Sequence, residues 1–197
     1  MMNFDTTLQI ENIDYGFVKG SHKIVFIKVG LGGSCSGYEN KYLTMAQSLR
    51  AKYGCSVIVA SNPHDQKDHS PIDKQAIERY ILENGITAPA LFFLGHSNGG
   101  IKGLTLTKAG VAFKKMILIN MPLMINFHKT KDCLSSIPQT EIVAVYGELD
   151  PSCRYASLLR ERFKNLTVLT IPKADHNFAG MLLEFIGLSD LLFHSNI

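Results

Sequence analysis

The chain has 197 residues, 46% of them hydrophobic, which is enough for one domain with a sizeable core but too few for two. Its 20 basic and 17 acidic residues leave a formal charge of +3 and are spread along the sequence. Because they form no basic tract, we expect no nucleic-acid partner. We therefore predict a single domain over residues 1–197.

Targeting and membrane signals are not apparent. The N-terminal residues MMNFDTTLQI lack the basic segment, apolar run and cleavage site of a secretory signal. The long apolar stretch MILINMPLMINF contains two Asn and a Pro, and it is shorter than the roughly 18 residues that cross a bilayer. The four cysteines have no C-x-x-C spacing. We expect a cytoplasmic protein with free thiols, for which a disulfide is the alternative, and no membrane partner.

Short runs of β-branched, aliphatic and aromatic residues, each closed by turn residues, predict buried strands. These runs are residues 23–30, 56–61, 90–95, 115–120, 141–147 and 166–172. Before them, the segments TLQI and YGFV predict one or two antiparallel edge strands.

Helical patterns fill the intervals between these strands. They cover residues 39–54, 71–85, 98–110 and 152–165, followed by a C-terminal pattern at 178–187. Several end at Gly or Asn, as helix C-termini commonly do. Because strands that alternate with helices need crossover connections, the sequence predicts an α/β fold. We expect a mainly parallel, doubly wound sheet with helices on both faces.

One strand-to-helix junction carries a chemical motif. The run ALFFL leads into Gly95, His96, Ser97, Asn98 and Gly99, a G-x-S-x-G pattern that arises by chance in roughly one chain in ten of this length. Its position strengthens it, because a turn tight enough to present a serine leaves no room for side chains two residues away. The following helix would direct its N–H groups at that hydroxyl. A glycine-rich turn with an incidental serine is the alternative, and His96 is expected to pack or hydrogen-bond beneath the turn.

A serine hydroxyl needs a base to take its proton and a carboxylate to orient that base. His176 and Asp150 each follow a predicted strand, so we expect both at the same edge of the sheet as Ser97. Glu148 and Asp175 are alternative acids. We favour Asp150, because Asp175 adjoins His176, where its side chain would tend to point away from the ring.

These motifs resemble those of the α/β-hydrolase superfamily from about Lys23 to Gly187. GHSNGG is similar to its nucleophile elbow, YGELDP to its acid loop and KADHNF to its histidine loop. The resemblance implies that Ser97 is the nucleophile, His176 the general base and acid, and Asp150 the orienting carboxylate.

The resemblance also implies an oxyanion hole. Its donors would be the backbone N–H of Asn98 and that of Leu31, or alternatively Gly32, in the segment VGLGGSCSG. Many relatives have His-Gly at the start of this loop, whereas this chain has Val29-Gly30. A plain glycine turn is the alternative interpretation of the segment.

The segment NPHDQKDHSP gathers several potential metal ligands, namely His64, Asp65, Asp68 and His69. Their spacing matches no zinc signature, and the flanking prolines indicate a loop. We predict a polar, solvated loop, for which contact with substrate at the rim of the site is the alternative, functional role. We expect no metal and no cofactor.

The segment at 121–140 lies where this superfamily often inserts a cap. Its length suffices for one helix but not for a cap domain, so we predict an open site. Its apolar residues would line an acyl pocket or face the core. The predicted activity is that of a serine hydrolase acting on a small carboxylic ester or thioester. An acyltransferase or thioesterase in a biosynthetic pathway, and a non-catalytic binding protein with this fold, are the alternatives.

Overall fold

An eight-stranded sheet forms the centre of the protein in a computed structural model that describes residues 3–65 and 67–194. The strands are β1 (Thr6–Ile10), β2 (Ile13–Val18), β3 (Lys23–Lys28), β4 (Ser56–Ala60), β5 (Ala90–His96), β6 (Lys115–Ile119), β7 (Glu141–Gly147) and β8 (Leu166–Ile171). They lie in the order β1-β2-β4-β3-β5-β6-β7-β8. The pairs from β4-β3 to β7-β8 are parallel, which confirms the predicted mainly parallel sheet.

The two N-terminal strands form an antiparallel hairpin, but only β1 lies at the edge. Strand β2 pairs with β4, with Tyr15 opposite Ala60, and is therefore an inner strand. Its residues Ile13, Tyr15 and Phe17 are buried in the core. The prediction of edge strands is thus correct for β1 and wrong for β2, because the burial of β2 depends on its pairing with a distant segment.

Among the described residues, six α-helices flank the sheet. They are α1 (Lys41–Tyr53), α2 (Ser70–Glu83), α3 (Asn98–Lys108), α4 (Leu123–Ser135), α5 (Ala156–Arg160) and α6 (Leu182–Gly187). None of these helices has the length and apolar character needed to cross a membrane. Helix α6 begins later than predicted, because Gly180 has a φ of 71°, outside the helical region.

Side chains of the strands pack against helices on both faces. In β3, Ile24 and Phe26 join the core beneath α2 to α5, whereas Val25 and Ile27 join the core beneath α1 and α6. All four are fully buried, and each contributes about 1.5–3 kcal/mol of transfer free energy. The parallel pairing of β3 to β8 brings the carboxyl ends of these strands to one edge of the sheet.

Helix α4 occupies the connection between β6 and β7, and no cap domain occurs there in the described part of the chain. Its residues Leu123, Cys133 and Leu134 belong to the core. The core-facing alternative for this segment is therefore the one observed.

Candidate active site

Ser97 lies at the sharp turn between β5 and α3, with φ 55° and ψ −128°. A positive φ is unfavourable for a residue with a side chain and has to be held in place by its surroundings. The Ser97 N–H donates to the Ile119 carbonyl at 2.7 Å, and the Gly100 N–H donates to the Ser97 carbonyl at 3.0 Å. The turn predicted from the G-x-S-x-G pattern is thus present, and it presents Ser97 to a cleft.

The glycines that flank the turn are required by close backbone contacts. A Cβ at Gly95 would lie 2.6 Å from the Gly100 nitrogen. A Cβ at Gly99 would lie 2.1 Å from the Lys28 carbonyl oxygen, far inside van der Waals contact. A larger residue at Gly99 would push the elbow away from the end of β3, and one at Gly95 would push β5 away from α3.

Ser97, His176 and Asp150 lie in a continuous chain of hydrogen bonds. His176 Nε2 is 2.9 Å from Ser97 Oγ, and His176 Nδ1 is 2.5 Å from Asp150 Oδ2. Asp150 is only 4% exposed, and its Oδ1 accepts a hydrogen bond from the Ser152 N–H at 2.6 Å. The three side chains that were predicted to lie at one edge of the sheet are therefore in contact.

The two alternative acids are engaged elsewhere. Glu148 Oε2 accepts the Lys173 N–H at 2.8 Å. Asp175 Oδ1 accepts the N–H groups of Ala179 and Asn177 at 2.9 and 3.0 Å, and these bonds, that of Ala179 first, lower the pKa of Asp175. The side-chain geometry therefore favours Asp150 over both alternatives.

The loop after β3 runs beside the elbow, so that a Cβ at Gly30 would lie 3.4 Å from Ser97 Cβ. The Gly32 N–H donates to the Asn62 carbonyl at 2.6 Å and is therefore occupied. No acceptor for the Leu31 N–H is found among residues 3–65 and 67–194. Asn98 begins α3, where the first N–H groups have no partner inside the helix. Of the two alternatives in the loop, Leu31 is the one left with an available amide.

Asn120, at the end of β6, is a residue of this site that the sequence analysis missed. Its Nδ2 donates to the carbonyl oxygens of His176 and Asp175 at 2.8 and 3.1 Å, and its Oδ1 accepts the Gly147 N–H at 2.7 Å. It is fully buried and has a φ of 47°. Asn120 thus ties the histidine loop to the end of β7. In the sequence, this role is indicated by a polar residue that directly follows the apolar run of β6.

His96 hydrogen-bonds beneath the turn, as predicted. Its Nε2 lies 2.9 Å from the His176 carbonyl oxygen and its Nδ1 lies 2.8 Å from the Tyr42 hydroxyl. Burial lowers the pKa of His96 to about 3, so the ring is neutral at pH 7. Because a carbonyl only accepts, Nε2 carries the proton and Nδ1 accepts from Tyr42.

The loop before α2 is only partly the solvated loop that the sequence predicted. His64 is exposed at the rim, where a Cβ at Gly32 would lie 2.1 Å from its Nε2. His69, however, is 1% exposed because the chain turns inward to begin α2, and its Nε2 lies 2.6 Å from Asp65 Oδ1. In the part of the chain that the structure describes, no group of three or more His, Cys, Asp or Glu side chains is arranged to hold a metal ion.

A cleft of about 440 Å³ opens over Ser97 and His176. A second cavity of about 450 Å³ shares Tyr38, Lys41 and Asn177 with the cleft and is lined by apolar residues from α6 and the loop before it. Helix α4 lines neither cavity, so the acyl-pocket role suggested for 121–140 is not supported.

Comparison with known proteins identifies the fold. No protein-family model and no curated protein matches the sequence. A dienelactone hydrolase from Anabaena variabilis is 14% identical, with a TM-score of 0.70 over 95% of this chain and 94% of that chain. An alpha-beta serine hydrolase homologue from Coxiella burnetii is 15% identical, with a TM-score of 0.69 over 98% and 99%. A serine hydrolase without lid from Xanthomonas campestris is 19% identical, with a TM-score of 0.67 over 93% and 91%. The chain therefore has the α/β-hydrolase fold, without a cap domain among the residues described.

Proposed function

We propose that the protein is a serine hydrolase that cleaves a carboxylic ester or thioester through an acyl-enzyme intermediate on Ser97. The observation that carries this proposal is the hydrogen-bond chain from Asp150 through His176 to the Ser97 hydroxyl. The strained backbone of Ser97 costs about 1–3 kcal/mol, which is typical of a residue held for chemistry rather than for folding.

The reaction begins when Ser97 Oγ attacks the substrate carbonyl carbon and His176 Nε2 takes its proton. The Nδ1–H group of His176 remains bound to Asp150, whose negative charge stabilises the imidazolium. The backbone N–H groups of Leu31 and Asn98 donate to the carbonyl oxygen as it becomes negative. His176 then protonates the leaving group as its bond to the carbonyl carbon breaks, and the acyl group stays on Ser97.

Water completes the cycle by the same route. His176 removes a proton from a water molecule that attacks the acyl carbon, and it returns that proton to Ser97 as the ester bond to Oγ breaks. The open cleft above Ser97 gives this water access. The same fold in proteins named as hydrolases supports hydrolysis over a non-catalytic binding role.

Turnover of 4-nitrophenyl butanoate and of the thioester S-phenyl thiobutanoate tests the proposal. We expect Ser97→Ala to lose at least about a thousandfold in kcat on both, with an unchanged melting temperature, because the side chain projects into the cleft. Ser157→Ala, an exposed serine on α5, is the matched control and should behave as wild type. Wild-type turnover by Ser97→Ala would reject the proposal.

A further inference from the structure

Lys41 is a buried cation without an anionic partner. It is 8% exposed, and no carboxylate of the described residues lies within 4.0 Å of its ammonium group. Lysine is almost never buried to this extent unless it is paired. Burial lowers the pKa of Lys41, and the charge of Asp175 opposes that shift from beyond ion-pair distance. A largely buried lysine without an ion-pair partner therefore lies beside the candidate active site.

The position of Lys41 is unfavourable for folding. It is the first residue of α1, where its positive charge meets the positive end of the helix dipole. Two aromatic rings offer partial compensation, because Nζ lies 4.5 Å from the ring centroid of Phe185 and 5.2 Å from that of Tyr42. Neither ring supplies a negative charge. A lysine that costs stability here is more readily explained by binding than by packing.

The ammonium group lies where a bound substrate would reach it. Lys41 lines the same cleft as Ser97 and also lines the second cavity. That cavity is walled by Phe178, Leu182 and Phe185. Lys41 therefore lies where the cleft over Ser97 meets the apolar cavity, so an acyl chain extending from Ser97 toward that cavity would meet a positive charge.

Two protein carboxylates border this region, those of Glu39 and Asp175. Glu39 is exposed to solvent at the mouth of the second cavity. Asp175 is held by the backbone N–H groups of the histidine loop. Neither lies within 4.0 Å of Lys41 Nζ, so the ammonium remains available to a ligand.

We propose that Lys41 binds a carboxylate carried by the acyl chain of the substrate, so that the preferred substrates are half-esters of dicarboxylic acids. A single ammonium balances one negative charge, which suits a carboxylate better than a phosphate dianion that calls for several donors. The inference rests on the proposed hydrolase activity and names the class of ester that this activity serves.

Pairs of substrates that differ only in charge test the inference. The 4-nitrophenyl half-esters of succinate, glutarate and adipate are compared with their methyl esters, after subtraction of the rate in buffer. For at least one chain length we expect wild-type kcat/KM to favour the free acid by at least about tenfold, as a charge-assisted contact provides. This comparison requires no variant protein.

Variants assign the preference to Lys41. In Lys41→Met the ratio of acid to methyl-ester kcat/KM should fall to near parity, and Lys41→Arg should retain a preference for the acid. Lys108→Met removes the same charge from an exposed site about 15 Å along α3 from the elbow and should keep the wild-type preference. If Lys41→Met fails to fold, Lys41→Gln replaces it.

The outcomes separate this inference from the proposed function. Equal turnover of acid and methyl ester at every chain length, or a preference that survives in the Lys41 variants, overturns the inference and leaves the hydrolase intact. If no ester is turned over, the hydrolase proposal fails, and binding is then measured by thermal shift. Monomethyl adipate should raise the melting temperature of wild type but not of Lys41→Met, and dimethyl adipate should raise neither. Absence of the monomethyl adipate shift in wild type would overturn the anion site as well.

Discussion

Replacing Asp150 by Asn should abolish most activity by reversing the tautomer of His176. Asp150 Oδ1 accepts the Ser152 N–H at 2.6 Å, so an amide at this position would keep its oxygen there. Its NH₂ group would then face His176 Nδ1, which now has to accept. The ring proton would move to Nε2, 2.9 Å from Ser97 Oγ, and that nitrogen could no longer take the serine proton.

The expected loss is large compared with a simple field effect. The same change in a serine protease triad costs about ten-thousandfold in kcat, which corresponds to roughly 5.5 kcal/mol of activation free energy. A carboxylate that acts only through a screened field contributes about 1 kcal/mol, or fivefold to tenfold. We therefore expect Asp150→Asn to lose at least about a thousandfold in kcat with little change in KM.

Steady-state kinetics on 4-nitrophenyl butanoate measures this loss, with Glu148→Gln and Asp175→Asn as matched controls. Both controls remove a negative charge from the neighbouring loops but leave the contact between Asp150 and His176 in place, so they should stay within about tenfold of wild type. A large loss in Glu148→Gln together with an active Asp150→Asn would refute the reasoning and make Glu148 the acid.

The remaining predictions concern the stability of the scaffold, each measured by urea unfolding. Gly99→Ala should lower the free energy of unfolding by about 1–3 kcal/mol or more, since its Cβ would lie 2.1 Å from the Lys28 carbonyl oxygen. Gly187→Ala is the control, and it should be neutral or slightly stabilising because its Cβ would meet no atom within 4 Å. Equal midpoints would contradict the tight elbow. Asp73→Asn should cost about 3–5 kcal/mol, because it leaves the buried Lys28 ammonium, 3.0 Å away, without its counter-charge. A loss below about 1 kcal/mol would show that this pair is solvated. His96 has a pKa of about 3 in the folded protein and 6.5 in the unfolded chain, so the unfolded state binds more protons between these values. The contribution of neutral His96 to the free energy of unfolding is therefore complete above pH 6.5. It is lost as pH falls, by up to about 1.4 kcal/mol per pH unit. His96→Gln should make the free energy of unfolding depend less steeply on pH in this range. The same pH dependence in His96→Gln and wild type would contradict the lowered pKa of His96.

Local sequence patterns were sufficient for the strands and the elbow. A strand buried on both faces, such as β3 with Val25 and Phe26, appears as a continuous apolar run whatever its neighbours are. The elbow was equally local, because Gly95 and Gly99 are required by a turn that spans five residues. The placement of His176 followed from the rule that parallel strands end at a common edge.

Features that depend on distant contacts could not be predicted. The pattern of β2 does not reveal that it pairs with β4, and the sequence around Asn120 does not reveal that its side chain meets the carbonyl of His176. Lys41 is ordinary in sequence, since a lysine at the start of a helix is normally solvated. Its burial results from α1 packing against α6, which brings Phe185 over its ammonium group.

Labelling with a fluorophosphonate tests the central claim most directly, because the reagent reacts with a serine hydroxyl only when a base activates it. Intact-mass analysis and peptide mapping should show a single adduct on Ser97 in the wild-type protein. The adduct should be lost in Ser97→Ala and strongly reduced in His176→Ala, in which the base 2.9 Å from Oγ is removed. An unlabelled wild-type protein, or an adduct that persists in Ser97→Ala, would contradict the account.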